Sequence, residues 1–144
     1  MKSTLSFICL LLLSVSLEAQ TISKLTITDN LSSSSKFGYG KPKPAAPKSH
    51  FVMMEEKGTQ VLFYAELLSE ELLPDSYNLV FTAFKDFQGK ETWVDERVLG
   101  VKKSSGYALT AMNFFETGDY KILITVDNNK DKILAEGKFT IGKE

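Results

Sequence analysis

Cysteine, histidine and proline are scarce, and each shortage removes a class of chemistry. The 144 residues hold one cysteine, one histidine and four prolines. Cys9 lies inside an apolar N-terminal stretch, so the chain beyond that stretch is free of cysteine. Disulfide stapling and thiol chemistry are excluded there. The residues before Cys9 are Ser6, Phe7 and Ile8, which does not fit a lipid-attachment cysteine. His50 stands alone, and a serine nucleophile needs a base beside it. The serines gather at residues 32–35 and at Ser104 and Ser105, outside any Gly-x-Ser-x-Gly elbow. Zinc has too few nitrogen and sulfur ligands to choose from. An excess of one charge is also missing: 17 basic residues stand against 18 acidic ones, which gives no reason to expect nucleic-acid binding.

Long hydrophobic runs are confined to the N-terminus. Lys2 is followed by an uncharged segment, residues 5–17, rich in leucine, and then by Leu17-Glu18-Ala19 and Gln20. A positive start, a short apolar core and a small residue at the exit describe an export signal, with cleavage expected after Ala19. The core falls short of the about 20 apolar residues that span a bilayer, and no second run of its length follows. The expectation is an exported chain, periplasmic, cell-surface or extracellular, with no stable membrane insertion after cleavage.

Residues 29–50 mark a change of composition. Ser32–Ser35, then Gly38-Tyr39-Gly40, then Lys41-Pro42-Lys43-Pro44 and Pro47-Lys48 read as a flexible coil passing into extended polyproline-like backbone. The division expected is residues 1–19 as signal peptide, 20–50 as a short strand plus linker, and 51–144 as the folded domain. The leader carries five lysines against one acid, whereas residues 51–144 carry eleven basic and sixteen acidic side chains. The lysines of 41–48 would suit either a semi-rigid spacer or contact with an anionic surface.

From residue 51 onward the apolar residues recur at a period of two between turn signals. Strands are expected at 51–55, 60–67, 77–87, 91–99, 107–115, 120–126 and 132–141, with 21–28 as an edge strand ahead of the linker. Val61, Phe63, Ala65 and Leu67 share one face, as do Tyr77, Leu79, Phe81 and Ala83, then Tyr120, Ile122, Ile124 and Val126, then Ala135, Gly137, Phe139 and Ile141. Only residues 70–73 have the look of a helical turn. The pattern predicts an all-β fold, a two-sheet antiparallel sandwich of seven or eight strands.

Residues 115–124, Phe-Glu-Thr-Gly-Asp-Tyr-Lys-Ile-Leu-Ile, sharpen this. The run resembles the corner that enters the penultimate strand of immunoglobulin-like and fibronectin type III-like domains, including bacterial surface and periplasmic modules. The resemblance covers residues 113–141 and concerns fold, not a specific family. It implies that Tyr120 packs inward with its hydroxyl bonded to backbone. The cysteines and core tryptophan of antibody domains are absent, and absent disulfides fit a bacterial envelope protein.

Residues that bear chemistry fail to assemble into a motif. Asp127-Asn128-Asn129-Lys130-Asp131 imitates the start of a calcium loop, but Lys132 and Lys138 stand where glycine and glutamate are needed; a hairpin turn accounts for the same residues. The pairs Glu55-Glu56, Glu70-Glu71 and Asp95-Glu96 are neighbours, and strand neighbours point to opposite faces. Gly38-Tyr39-Gly40-Lys41 lacks phosphate-loop spacing. Asn30-Leu31-Ser32 fits a glycosylation acceptor, relevant only in a eukaryotic host. No cofactor and no catalytic residue are expected.

Apolar residues on the strand faces turned away from the core supply the candidate site. With the inward sets above, Val80, Phe84, Leu123 and Leu134 would face outward among Asn78, Thr82, Lys121 and Glu136, a candidate interaction face. The expectation is a non-catalytic module that mediates protein–protein interaction with an envelope or surface protein. The alternative is a carbohydrate or small-ligand module using Trp93, Tyr107, Tyr64 and Tyr39 as stacking faces.

Overall fold

The computed structural model describes residues 22–32, 42–54, 56–68, 75–127 and 129–144. The signal segment, the serine and glycine part of the linker and the helical turn expected at 70–73 lie outside these residues. Ten strands follow in order: β1 (Ile22–Thr28), β2 (Leu31–Ser32), β3 (Lys43–Pro44), β4 (His50–Val52), β5 (Thr59–Leu67), β6 (Ser76–Phe87), β7 (Lys90–Lys102), β8 (Tyr107–Phe114), β9 (Gly118–Val126) and β10 (Asn129–Gly142). A three-stranded sheet, β1-β5-β8, faces a five-stranded one, β4-β10-β9-β6-β7, and β2 and β3 form a small bridge of their own. Among the described residues no helix is long and apolar enough to cross a membrane.

Alternation builds both layers. Val61, Phe63 and Ala65 of β5 are fully buried, as are Leu79, Phe81 and Ala83 of β6 and Ile122 and Ile124 of β9. A slip of one residue would turn each set to water, so burial fixes the register. Gln88 and Gly89 both take positive φ, 54° and 79°, the geometry of a two-residue hairpin turn that matches strand twist. Asp86 accepts the Gly89 N–H at 2.8 Å and closes it.

One pairing departs from the antiparallel expectation: β4 runs parallel to β10, with His50 opposite Thr140 and Phe51 opposite Ile141. These strands are far apart in sequence, so the connection imposes no direction on them. The strand expected at 21–28 docks at a sheet edge, as its alternation implies: β1 pairs along β5, and β4 pairs along β10. The described part of the lysine–proline segment is fixed rather than free. The Ala45 and Lys48 N–H groups donate to Asn30 and Ile27 carbonyls at 3.0 and 2.8 Å, and the Thr28 hydroxyl donates to the Ala46 carbonyl at 3.2 Å.

At one end of the core the aromatic rings interlock. Phe139 lies 5.7 Å from Phe51, 5.8 Å from Phe63, 5.2 Å from Phe114 and 5.4 Å from Tyr120. Tyr120 donates its hydroxyl to the Glu116 carbonyl at 2.7 Å, which is the tyrosine corner that residues 115–124 resemble. With this corner, and with β9, β6 and β7 adjacent in that order, the fold is an immunoglobulin-like sandwich. Its smaller sheet has no fourth strand beside β8 among the described residues, so β7 overhangs an open seam.

Two outcomes test this core. Phe139→Ala should lower stability by about 3–5 kcal/mol, read by chemical denaturation. Burial, and then the nearby Glu116 charge, pushes the Tyr120 phenol up to about 12. A raised phenol pKa stabilises the fold fully below the ordinary value near 10 and loses that contribution as pH rises through the folded value. Tyr120→Phe should therefore cost about 1–2 kcal/mol at neutral pH and remove the most alkaline phase from the phenolate absorbance titration.

Candidate functional site

The strand registers sort the outward face of the large sheet into rows. Val98, Val80, Thr125 and Ile133 are cross-strand neighbours; Glu96, Thr82, Leu123 and Glu136 form the next row. Then come Trp93, Phe84, Lys121 and Lys138, and finally Glu91, Asp86, Asp119 and Thr140.

The four residues expected as an exposed apolar stripe do not form one. Val80 is fully buried, between Val98 on β7 and Thr125 on β9. Phe84 and Leu123 are half-buried. The Lys121 ammonium lies 5.7 Å over the Phe84 ring and also bonds Glu91, so a charged roof covers this aromatic. Glu96 takes the Thr82 hydroxyl and the Lys130 ammonium beside Leu123. Leu134 leaves the face altogether: an irregularity in the ladder between Ile133 and Ala135 turns it onto the core and puts Ile133 outward instead. A strict period of two does not reveal such an extra residue.

The acidic row lines a cavity of about 410 Å³ with His50, Phe84 and Lys138. Each carboxylate already has a donor. Lys121 serves Glu91, the Gly89 amide serves Asp86, and Thr140 serves Asp119 at 2.7 Å. Among the described residues no group of histidine and carboxylate side chains is arranged to hold a metal ion.

The larger cavity, about 640 Å³, opens at the end of the seam between β7 and β8. Phe114 and Tyr120 from the aromatic core form its floor. Phe87, Trp93 and Phe115 line it while remaining 63%, 58% and 71% exposed. Three large aromatic side chains in water around one hollow is unusual for a surface that meets only solvent. A β-bulge helps to place them. The ladder slips between Ala83 and Phe84, so Val94 is extra on β7. Val94 packs against the core, and Trp93 stands at the rim.

The charged groups that line this groove are paired. Lys85 bonds Glu116 at 2.5 Å, and Arg97 bonds Asp95 at 3.0 Å. The hydrogen bond from Lys85, and then its charge, holds the Glu116 carboxyl below its usual value. Gly118 makes the Lys85 position available: at φ +149°, a Cβ there would stand 2.7 Å from Lys85 Cε. Asn113 and Thr92 complete the lining.

Of the stacking candidates, only Trp93 reaches this groove. Tyr64 and Tyr107 stack on one another, ring centroids 5.7 Å apart and 7° from parallel, and Tyr64 is buried. Tyr39 lies outside the described residues. Phe87 and Phe115 were visible in the sequence as aromatics at strand ends beside turn signals, yet only the fold brings them to Trp93.

Gly118→Ala should displace Lys85 and strain the backbone, at about 1–3 kcal/mol. Released from its cation, Glu116 should titrate back toward 4.5, read by carboxyl carbon NMR. Its low folded pKa adds stability above the ordinary glutamate value and loses it as pH falls through the folded one, so the acid side of the stability profile should flatten in this variant.

No family model matches the chain, and no curated protein matches it. Solved structures similar to it include the following two. An immunoglobulin-like protein from Pseudomonas aeruginosa is 14% identical, with 85% of this chain and 94% of that one covered and a TM-score of 0.48. The PmoD soluble domain from Methylocystis sp. is also 14% identical, with 85% and 97% covered and a TM-score of 0.46.

Proposed function

We propose that the chain is an exported, non-catalytic binding module that engages a component of the cell envelope through the groove at the end of the β7–β8 seam. The observation that carries this reading is the convergence of Phe87, Trp93 and Phe115, all exposed, on one hollow floored by the aromatic core. Aromatic side chains offer large contact area with few rotors to immobilise, which is why they dominate recognition surfaces. The interaction site moves from the outward stripe of Val80, Phe84, Leu123 and Leu134 to this groove, because the stripe is buried or roofed by charge.

Binding without reaction is favoured by the state of the carboxylates. A general acid at neutral pH needs a raised pKa, and Glu116 is shifted the other way by Lys85. Export rests on the N-terminal segment, with its short apolar core and Ala19 at the expected cleavage position.

A photo-crosslinking residue placed at Phe87 or Phe115 in the producing cell should form an adduct, whereas the same residue at Glu136, outside the groove, should not. Mass spectrometry of the adduct should read Gln20 as the first residue of the chain. Equal adducts at both places, or none in the groove, would remove it as the contact surface. A first residue ahead of Gln20 would remove the cleavage assignment.

A further inference from the structure

Resting on the groove reading, we infer that the occupant is a neutral oligosaccharide segment, stacked on the exposed aromatics and hydrogen-bonded by the outer oxygens of Asp95 and Glu116 and by Asn113. Charge, edge chemistry and size each narrow the choice to this class.

The two ion pairs leave the groove without a charge to offer. Lys85 is committed to Glu116 and Arg97 to Asp95. A phosphate or carboxylate ligand would have to strip Lys85 from Glu116, and an ammonium ligand would meet Lys85 on the same wall. A neutral ligand avoids both costs. The paired carboxylates keep free lone pairs that accept hydroxyl hydrogens, since a carboxylate has about four acceptor positions and each pair occupies only some of them. Glu116 and the Asn113 side chain are exposed, so their outer atoms are available.

Strand addition is the main rival, because β7 and β8 both end their sheets. A peptide strand beside β8 would lie against the inner side of the β7 overhang. Asp95 pairs across the ladder with Ala83, and Arg97 with Phe81, both inward residues, so the ion pair sits on that inner side. Inward-pointing charge at an edge opposes strand pairing, since an incoming strand would have to desolvate it. Recognition at this end of the seam is thus left to side chains.

The hollow also has the right size and mix. At about 640 Å³ it falls within the roughly 300–1,000 Å³ of small-ligand sites. Pyranose rings present apolar C–H faces and a rim of hydroxyls, which matches aromatic walls interrupted by acceptors. Trp93, Phe87 and Phe115 each remain more than half exposed, the Phe115 ring resting with one edge against Gly58.

Trp93 is the only tryptophan, so its emission reports occupancy directly. The processed protein is titrated with neutral oligosaccharides built from glucose, galactose, mannose and N-acetylglucosamine. The expected result is a saturable blue shift with at least one of them, unchanged by added salt. Phe87→Ala and Phe115→Ala should each weaken binding by about tenfold or more; Phe87→Ala should leave the melting temperature unchanged, because its ring is largely exposed. Calorimetry on Trp93→Ala should show the same loss. A shift produced only by a charged oligosaccharide, and abolished by salt, would overturn the neutral class. If every sugar is inert while peptides selected on the protein bind in a Phe115-dependent way, the sugar inference fails and the groove stands. If neither binds, both fail.

Discussion

Everything in this molecule is organised around the contact between Phe139 and Tyr120. These rings lie 5.4 Å apart and nearly parallel on adjacent strands β10 and β9, and Phe51, Phe63 and Phe114 close around them. Phe51 comes from the parallel strand β4, and Phe63 and Phe114 from the opposite sheet, so one cluster joins three parts of the chain distant in sequence. The Tyr120 hydroxyl reaches Glu116 and ties the β8–β9 corner to the same cluster. Edge-to-face and offset ring contacts add about 0.5–1.5 kcal/mol each beyond area burial. Packing, the corner and the groove floor are therefore one structure, because Phe114 and Tyr120 serve all three.

Most of the fold was legible in the sequence, and the reason is periodicity. Strands expected at 60–67, 77–87, 107–115 and 120–126 match β5, β6, β8 and β9 to within two residues at each end, because side-chain alternation and burial on one face leave little freedom. The inward sets of β5, β6 and β9 are as read, and so is the inward tyrosine of the corner. What was not legible is everything set by a single inserted residue or by pairing across the fold. The irregularity at Ile133 turns Leu134 inward, and the bulge at Val94 sets the rim around Trp93. The parallel β4–β10 pair carries no local signature, since three residues from His50 to Val52 do not establish a period.

The candidate site was less legible for a related reason. Exposure depends on what roofs a residue, and alternation speaks only to which side of a sheet it faces. Phe84 does face outward as expected, but Lys121 lies across its ring. Trp93 was recognised as a stacking face, whereas Phe87 and Phe115 acquire significance only when the β6–β7 hairpin and the β8–β9 corner meet at the same end of the seam. An open seam is also hazardous, because a sheet edge invites other edges. The inward Asp95–Arg97 pair and the charges of Lys90, Glu91, Glu96 and Lys102 along β7 counter that tendency.

The parallel pairing of β4 with β10 carries a mechanical consequence. The two strands point the same way, so tension that enters β4 at His50 and β10 at Gly142 drags them in opposite directions along their common axis. The ladder from His50 to Val52 is then loaded in shear, with its bonds sharing the force together. An antiparallel pair pulled from its open end would unzip one bond at a time. Because β1 precedes β4 and pairs with β5, a pull from the N-terminal side meets that ladder before it reaches the parallel one.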